Sequence, residues 1–167
     1  MAITAQELLT GLEVRAAHTA EPAPGSADLI TTATQTGRTV TVVTNNSGAA
    51  VAAYLVQHHL DAHVGKIIGR DDPDPALMKP SPYRVRIAVG ALRAEPEDCV
   101  FIGDSLTDVL AGLLGAVAVI GYANKPGKAE ALTQAGARAV VTELAEITTA
   151  LRTAPSPNTR DLRRLAV

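Results

Sequence analysis

The sequence predicts an α/β protein: a doubly wound parallel sheet with helices on both faces, in three α/β/α layers. Three observations lead there. Short apolar runs alternate with amphipathic helical patterns along most of the chain, the arrangement of parallel strands joined by helical crossovers. Apolar residues make up 47% of the chain but aromatics only 2%, so the core must be built from Ala, Val, Leu and Ile. At 167 residues the chain fits one domain, a size that buries roughly 70% of the unfolded surface.

Taken in order, residues 5–17 place Leu8, Leu9 and Leu12 at helical spacing, and Pro22, Pro24 and Gly25 then break the pattern. Ser26 is suited to cap a second helix running to about Gln35, and Gly37 stands where a helix end favours a left-handed residue. Residues 39–44 read as a strand. A helix over 48–60 carries Val51, Leu55 and Val56 on one face, and a short apolar run follows at 64–68. Pro73 and Pro75 make 71–75 a loop, because each removes a backbone donor and fixes φ. Pro82 starts a helix to about Leu92. Residues 99–102 form a buried strand ended by Gly103, and 105–114 a helix. A strand at 116–120, a helix at 126–135, a short strand at 139–141 and a helix ending near Leu151 complete the alternation. The expected organisation is one core over 1–152, followed by a disordered tail from Thr153 to Val167, where Pro155, Pro157 and charged residues leave little to bury. Right-handed crossovers place any ligand beyond the C-terminal strand ends.

Composition excludes several functions. A formal net charge of -2 with almost no aromatics argues against nucleic acid as a partner. No stretch approaches the ~20 apolar residues that cross a bilayer, and the opening residues lack a signal-peptide pattern. Cys99 is the only cysteine, so no intramolecular disulfide can form, and it is expected to be a small buried hydrophobe. These features predict a cytoplasmic protein without a membrane partner.

The chemistry gathers at three strand ends. Asp104 and Asp108, four residues apart, follow the strand at 99–102. They can converge on one hard cation such as magnesium, or they can cap and charge-complement the next helix. The segment 42–47 ends another strand in Thr44, Asn45, Asn46 and Ser47, and Gly48 opens a helix whose free N–H groups favour an anion. Thr44 and Asn45 can hold phosphate oxygens there, or the segment is an ordinary Asn- and Ser-rich turn. Lys79, between Met78 and Pro80, is a rare lysine in a chain that prefers arginine; it is either a phosphate counter-charge or a solvated loop residue. His58, His59 and His63 cluster at a helix end without a further shared ligand, which makes a poor zinc site.

Together, a strand ending Thr44-Asn45-Asn46-Ser47, Lys79-Pro80, and a strand ending Gly103-Asp104-Ser105-Leu106-Thr107-Asp108 resemble the second, third and fourth motifs of the haloacid dehalogenase superfamily, phosphatase branch. The resemblance covers about residues 24–151, and the text around Gly69-Arg70 and Gly136-Ala137 is similar to phosphoglycolate phosphatase relatives. It implies that Thr44 and Asn45 hold the phosphoryl group, that Lys79 neutralises it and orients the nucleophile, that Asp104 and Asp108 anchor magnesium, and that the substrate is a small phosphorylated metabolite. In that family the nucleophile is the first Asp of an Asp-x-Asp-Gly motif on a central N-terminal strand. No such motif occurs here, and residues 1–20 resemble a helix returning from the family's cap. Asp72-Pro73-Asp74 has the Asp-x-Asp form, but it sits in a proline loop without Gly-Thr after it.

Three readings follow. The chain is a truncated phosphatase core without turnover, a non-catalytic phosphate- and magnesium-binding or regulatory module, or an enzyme whose nucleophile comes from another polypeptide. Without a central strand, the strands ending at Thr44 and Gly103 are expected to pair directly or to accept another segment or chain, which opens a route to self-association.

Overall fold

In the computed structural model, which describes residues 4–155 and 164–166, six strands form one parallel sheet. The strands are β1 (Val40–Val43), β2 (Lys66–Ile68), β3 (Cys99–Gly103), β4 (Ala118–Tyr122), β5 (Ala139–Val141) and β6 (Arg164–Ala166), in the spatial order β2-β1-β6-β3-β4-β5. Seven α-helices accompany them: α1 (Ala5–Ala17), α2 (Ser26–Gln35), α3 (Gly48–Gln57), α4 (Tyr83–Leu92), α5 (Leu106–Leu114), α6 (Lys128–Gln134) and α7 (Leu144–Thr153).

Alternation along the strands divides the core in two. Phe101 points into a cluster with Val85, Val89, Val109, Val119 and Leu132, while Ile102 points into the opposite one with Leu29, Val40, Leu55, Leu144 and Ile147. These are the two apolar layers of a doubly wound sheet, and they are almost entirely aliphatic.

The centre of the sheet carries the main correction. The tail expected to be disordered contributes β6, which lies between β1 and β3; Pro157 and the rest of 156–163 lie outside the described residues. Leu165 pairs with Val40 on one side and Val100 on the other, and Ala166 with Thr41 and Phe101. The physical reason is backbone pairing. Two strands flanking an interior gap expose N–H and C=O groups where water is scarce, and any extended segment that reaches them gains those hydrogen bonds. Of the two expected outcomes, direct pairing of β1 with β3 does not occur; another segment fills the slot.

Other boundaries move for local reasons. The third helix stops at Gln57 rather than 60, because His59 turns into the left-handed region at φ 57. Ser26 is the first residue of α2 rather than its cap; Gly25, at φ 80, takes the cap position, and the Ser26 hydroxyl is buried without a hydrogen bond. The fourth strand begins at Ala118, two residues later than expected, since Ala116 is also left-handed (φ 61). Helix α1 buries none of its residues, and Leu8, Leu9 and Leu12 are exposed. It packs along α3, and a polar contact reinforces it: Glu13 accepts two bonds from Arg70, at 2.7 and 3.0 Å, and one from the Ser47 N–H at 2.9 Å.

Candidate active site

Three of the five predicted site residues meet in one cavity. Lys79, Asp104 and Asp108 line a space of about 370 Å³ at the C-terminal ends of β1 and β3, together with Val43, Gly103, Ser26 from the start of α2, and Asn124 after β4. Thr44 and Asn45 stand beside it and are not among its walls.

Asp108 is fixed by its own turn. Its Oδ2 accepts from the N–H groups of Asp104 (3.2 Å) and Ser105 (3.1 Å) and from the Ser105 hydroxyl (2.6 Å), while Ser105 Oγ accepts from the Asp108 N–H at 3.1 Å. This reciprocal capping box starts α5. Gly103 makes it possible, because a Cβ there would lie 2.3 Å from the Asp108 Cβ. The cap and the carboxylate cluster, alternatives on sequence grounds, are therefore one structure. Asp108 Oδ1 lies 2.6 Å from Lys79 Nζ, as an ion pair out of hydrogen-bond alignment.

Lys79 is aimed by Asn45. The Asn45 side chain accepts from the Lys79 N–H (2.9 Å) and donates to the Lys79 carbonyl (3.4 Å), clamping that residue's backbone. The ammonium then crosses the cleft, donating to the Val43 carbonyl at 3.3 Å and sitting 5.7 Å from the Phe101 ring centre. The Thr44 hydroxyl is held in a local turn by the Asn46 N–H (3.1 Å). The loop carrying Lys79 approaches the start of α3 so closely that a Cβ on Gly69 would meet the Gly48 nitrogen at 2.5 Å.

Sequence reasoning missed two participants. Lys128 Nζ donates to both the main-chain oxygen (2.7 Å) and Oδ2 (2.8 Å) of Asp104, and the Asn124 amide donates to the same Oδ2 at 3.0 Å. Burial works to raise the Asp104 pKa, yet Lys128 and Asn124 hold the carboxyl below its ordinary value. The available signal was a lysine at the very start of a helix, where a cation opposes the dipole.

The remaining candidates lie elsewhere. Asp72 Oδ1 accepts from the Asp74 N–H and Asp74 Oδ1 from the Ala76 N–H, both at 2.9 Å, so this exposed pair builds a turn away from the cavity. The His58 ring packs 4.4 Å from Tyr54, and His63 bonds the Thr34 hydroxyl at 2.9 Å on another surface.

A family model for haloacid dehalogenase-like hydrolases matches residues 6–114. The chain belongs to that family. Among characterised relatives it is 30% identical over 106 residues to D-glycero-beta-D-manno-heptose-1,7-bisphosphate 7-phosphatase of Neisseria meningitidis, a match covering 54% of this chain and 57% of that protein. It is also 30% identical over 105 residues to the pyrophosphatase PpaX of Halalkalibacterium halodurans, covering 62% and 48%. The chain thus spans about half the length of the curated relatives it matches. Among solved structures, a HAD phosphatase from Thermococcus onnurineus superposes with a TM-score of 0.72 at 21% identity, covering 93% of this chain and 67% of that one. CbbY from Rhodobacter sphaeroides, solved with xylulose-(1,5)bisphosphate, gives 0.67 at 27%, covering 82% and 61%. This HAD-like hydrolase therefore has a phosphatase-type α/β core, and no described helix is long and apolar enough to cross a membrane.

As arranged, the donor set does not fit a divalent cation. Each carboxylate is already neutralised by a lysine, Asp108 Oδ2 is saturated by three donors, and no group of three acidic, His or Cys side chains converges among the described residues.

Proposed function

We propose that this chain is the phosphoryl-binding core of a phosphatase acting on small phosphorylated metabolites, and that without a strand-borne aspartate it binds phosphate but does not hydrolyse esters. The observation that carries the reading is the meeting of Lys79, Asp104 and Asp108 in one cavity beyond the strand ends. Lys79 supplies a point charge for a phosphoryl oxygen, steadied by the Asn45 clamp. Covalent catalysis needs a carboxylate in line with phosphorus, and the described central strand, Arg164–Ala166, carries none. Magnesium is the metal implied by the family resemblance; no step is assigned to it.

A second reading, an enzyme completed by another chain, is favoured by one observation. The pairing with β6 ends at Ala166, so among the described residues Val42, Val43, Ile102 and Gly103 have no strand partner on the slot side.

One experiment separates these. Aryl-phosphate hydrolysis with magnesium should be negligible at every protein concentration, while inorganic phosphate should raise the melting temperature of the wild type and not of Lys79→Ala. Turnover that appears only when a polypeptide carrying an Asp-x-Asp-Gly strand is added would favour completion by another chain. Absence of phosphate protection would remove the binding role.

A further inference from the structure

Of the four lysines in the chain, Lys66 and Lys125 are exposed, and each of the other two meets a carboxylate at the cavity. Lys128 is the less expected of that pair. It opens α6 directly after Gly127, where a cation runs against the positive end of the helix dipole. Its ammonium is gripped by a single residue through two oxygens, the main-chain carbonyl and Oδ2 of Asp104, and Asn124 braces the same Oδ2. A hard divalent cation on Asp104 would seek these oxygens, and it would meet the ammonium as a like charge in contact.

We propose that Lys128 is the resident cation of Asp104: its ammonium occupies the place of a divalent ion on that residue, and magnesium binds only by displacing it. The charges are consistent with this. Asp104 and Asp108 contribute two negative charges, Lys79 and Lys128 two positive, so the cluster is neutral without a metal. Displacement is feasible because Lys128 is 30% exposed and its freed ammonium can be hydrated, whereas the Lys79 ammonium, 14% exposed, is held across the cleft. Lys128 is thus a positioning residue that sets metal affinity. The inference rests on Asp104 lining the proposed phosphate cavity, but its test reads magnesium alone and stands or falls separately from phosphate binding.

The test is calorimetric titration of magnesium chloride into the full chain at fixed ionic strength, using wild type, Lys128→Met, Lys128→Gln and Lys125→Met. Losing the competing ammonium should tighten magnesium binding about tenfold or more in both Lys128 variants. Lys125→Met, which removes an equal charge nearby without touching Asp104, should stay within about twofold of wild type. The Gln variant guards against misfolding of the Met variant. Equal affinities in wild type and both Lys128 variants would overturn the proposal. So would an equal gain in Lys125→Met, which would mean that overall charge is responsible, or the absence of magnesium binding in every protein.

Discussion

The two halves of the β3–α5 turn carry chemically identical groups in opposite physical states. Asp108 is 8% exposed, has one oxygen saturated by its own turn, and faces a lysine sent from 29 residues earlier in the chain. Asp104 is 48% exposed, and its partners, Asn124 and Lys128, come from the segment after β4. The first carboxylate is built into the fold, because the helix start, the strand end and the Lys79 loop all depend on it. The second is an open position whose counter-charge can exchange with solvent. In one turn, burial decides which acid is structural and which is available for ligand chemistry.

The largest expected effect breaks the buried half. Asp108→Asn leaves the Lys79 ammonium without its counter-charge and weakens the capping box, so unfolding by urea should show a loss of about 3 kcal/mol. A loss under about 1 kcal/mol would mean that the two halves are equivalent.

A second buried pair tests whether burial itself sets the cost. Glu13 and Arg70 are 13% and 6% exposed, in a two-bond contact that also reaches the Ser47 N–H. Glu13→Gln should cost about 2 kcal/mol near neutral pH, less than a fully buried pair. Burial acts to raise the Glu13 pKa, but the bonds from Arg70 and Ser47 hold it below the ordinary value of 4.5. A carboxyl depressed in the folded state stabilises it above the unfolded value, and that contribution is lost as pH falls through the folded one. The stability gap between wild type and Glu13→Gln should therefore be flat at pH 6–7 and shrink progressively below about pH 4.5. A gap that stays constant down to pH 3 would contradict the ion-pair origin.

The smallest effect belongs to the open half. Asp104→Asn should change stability by less than about 1 kcal/mol, and the difference should shrink further in high salt, because half-exposed pairs are solvated and screened. A loss matching that of Asp108→Asn would erase the distinction.

Much of the site was legible because each motif is local. Asp104 and Asp108 follow a strand that its apolar run marks directly, and the capping pattern of Ser105 and Asp108 is written within one helical turn, whereas Lys79 lies in a loop well past β2 and Thr44 stands beside the cavity rather than in its wall. Asn45 was legible as a site residue; its amide is engaged in clamping the Lys79 backbone, a contact between segments 34 residues apart that no local pattern encodes. Lys128 and Glu13 were missed for the same reason. Their partners lie 24 and 57 residues away, and a lone lysine or glutamate on a helix carries no sign of what it will meet.

The sequence by itself determined the class of fold and the order of the elements as far as α7, and it named the candidate site residues, because periodicity, turn residues and caps act over a few positions. Tertiary structure alone decided what fills the centre of the sheet and how the charges pair. An extended three-residue run such as Arg164–Ala166 has little strand signal of its own, and it becomes β6 only because β1 and β3 present unpaired backbone on both sides of one slot. Likewise, four charges spread over 50 residues cancel two by two only once the strand ends bring them within 3 Å of one another.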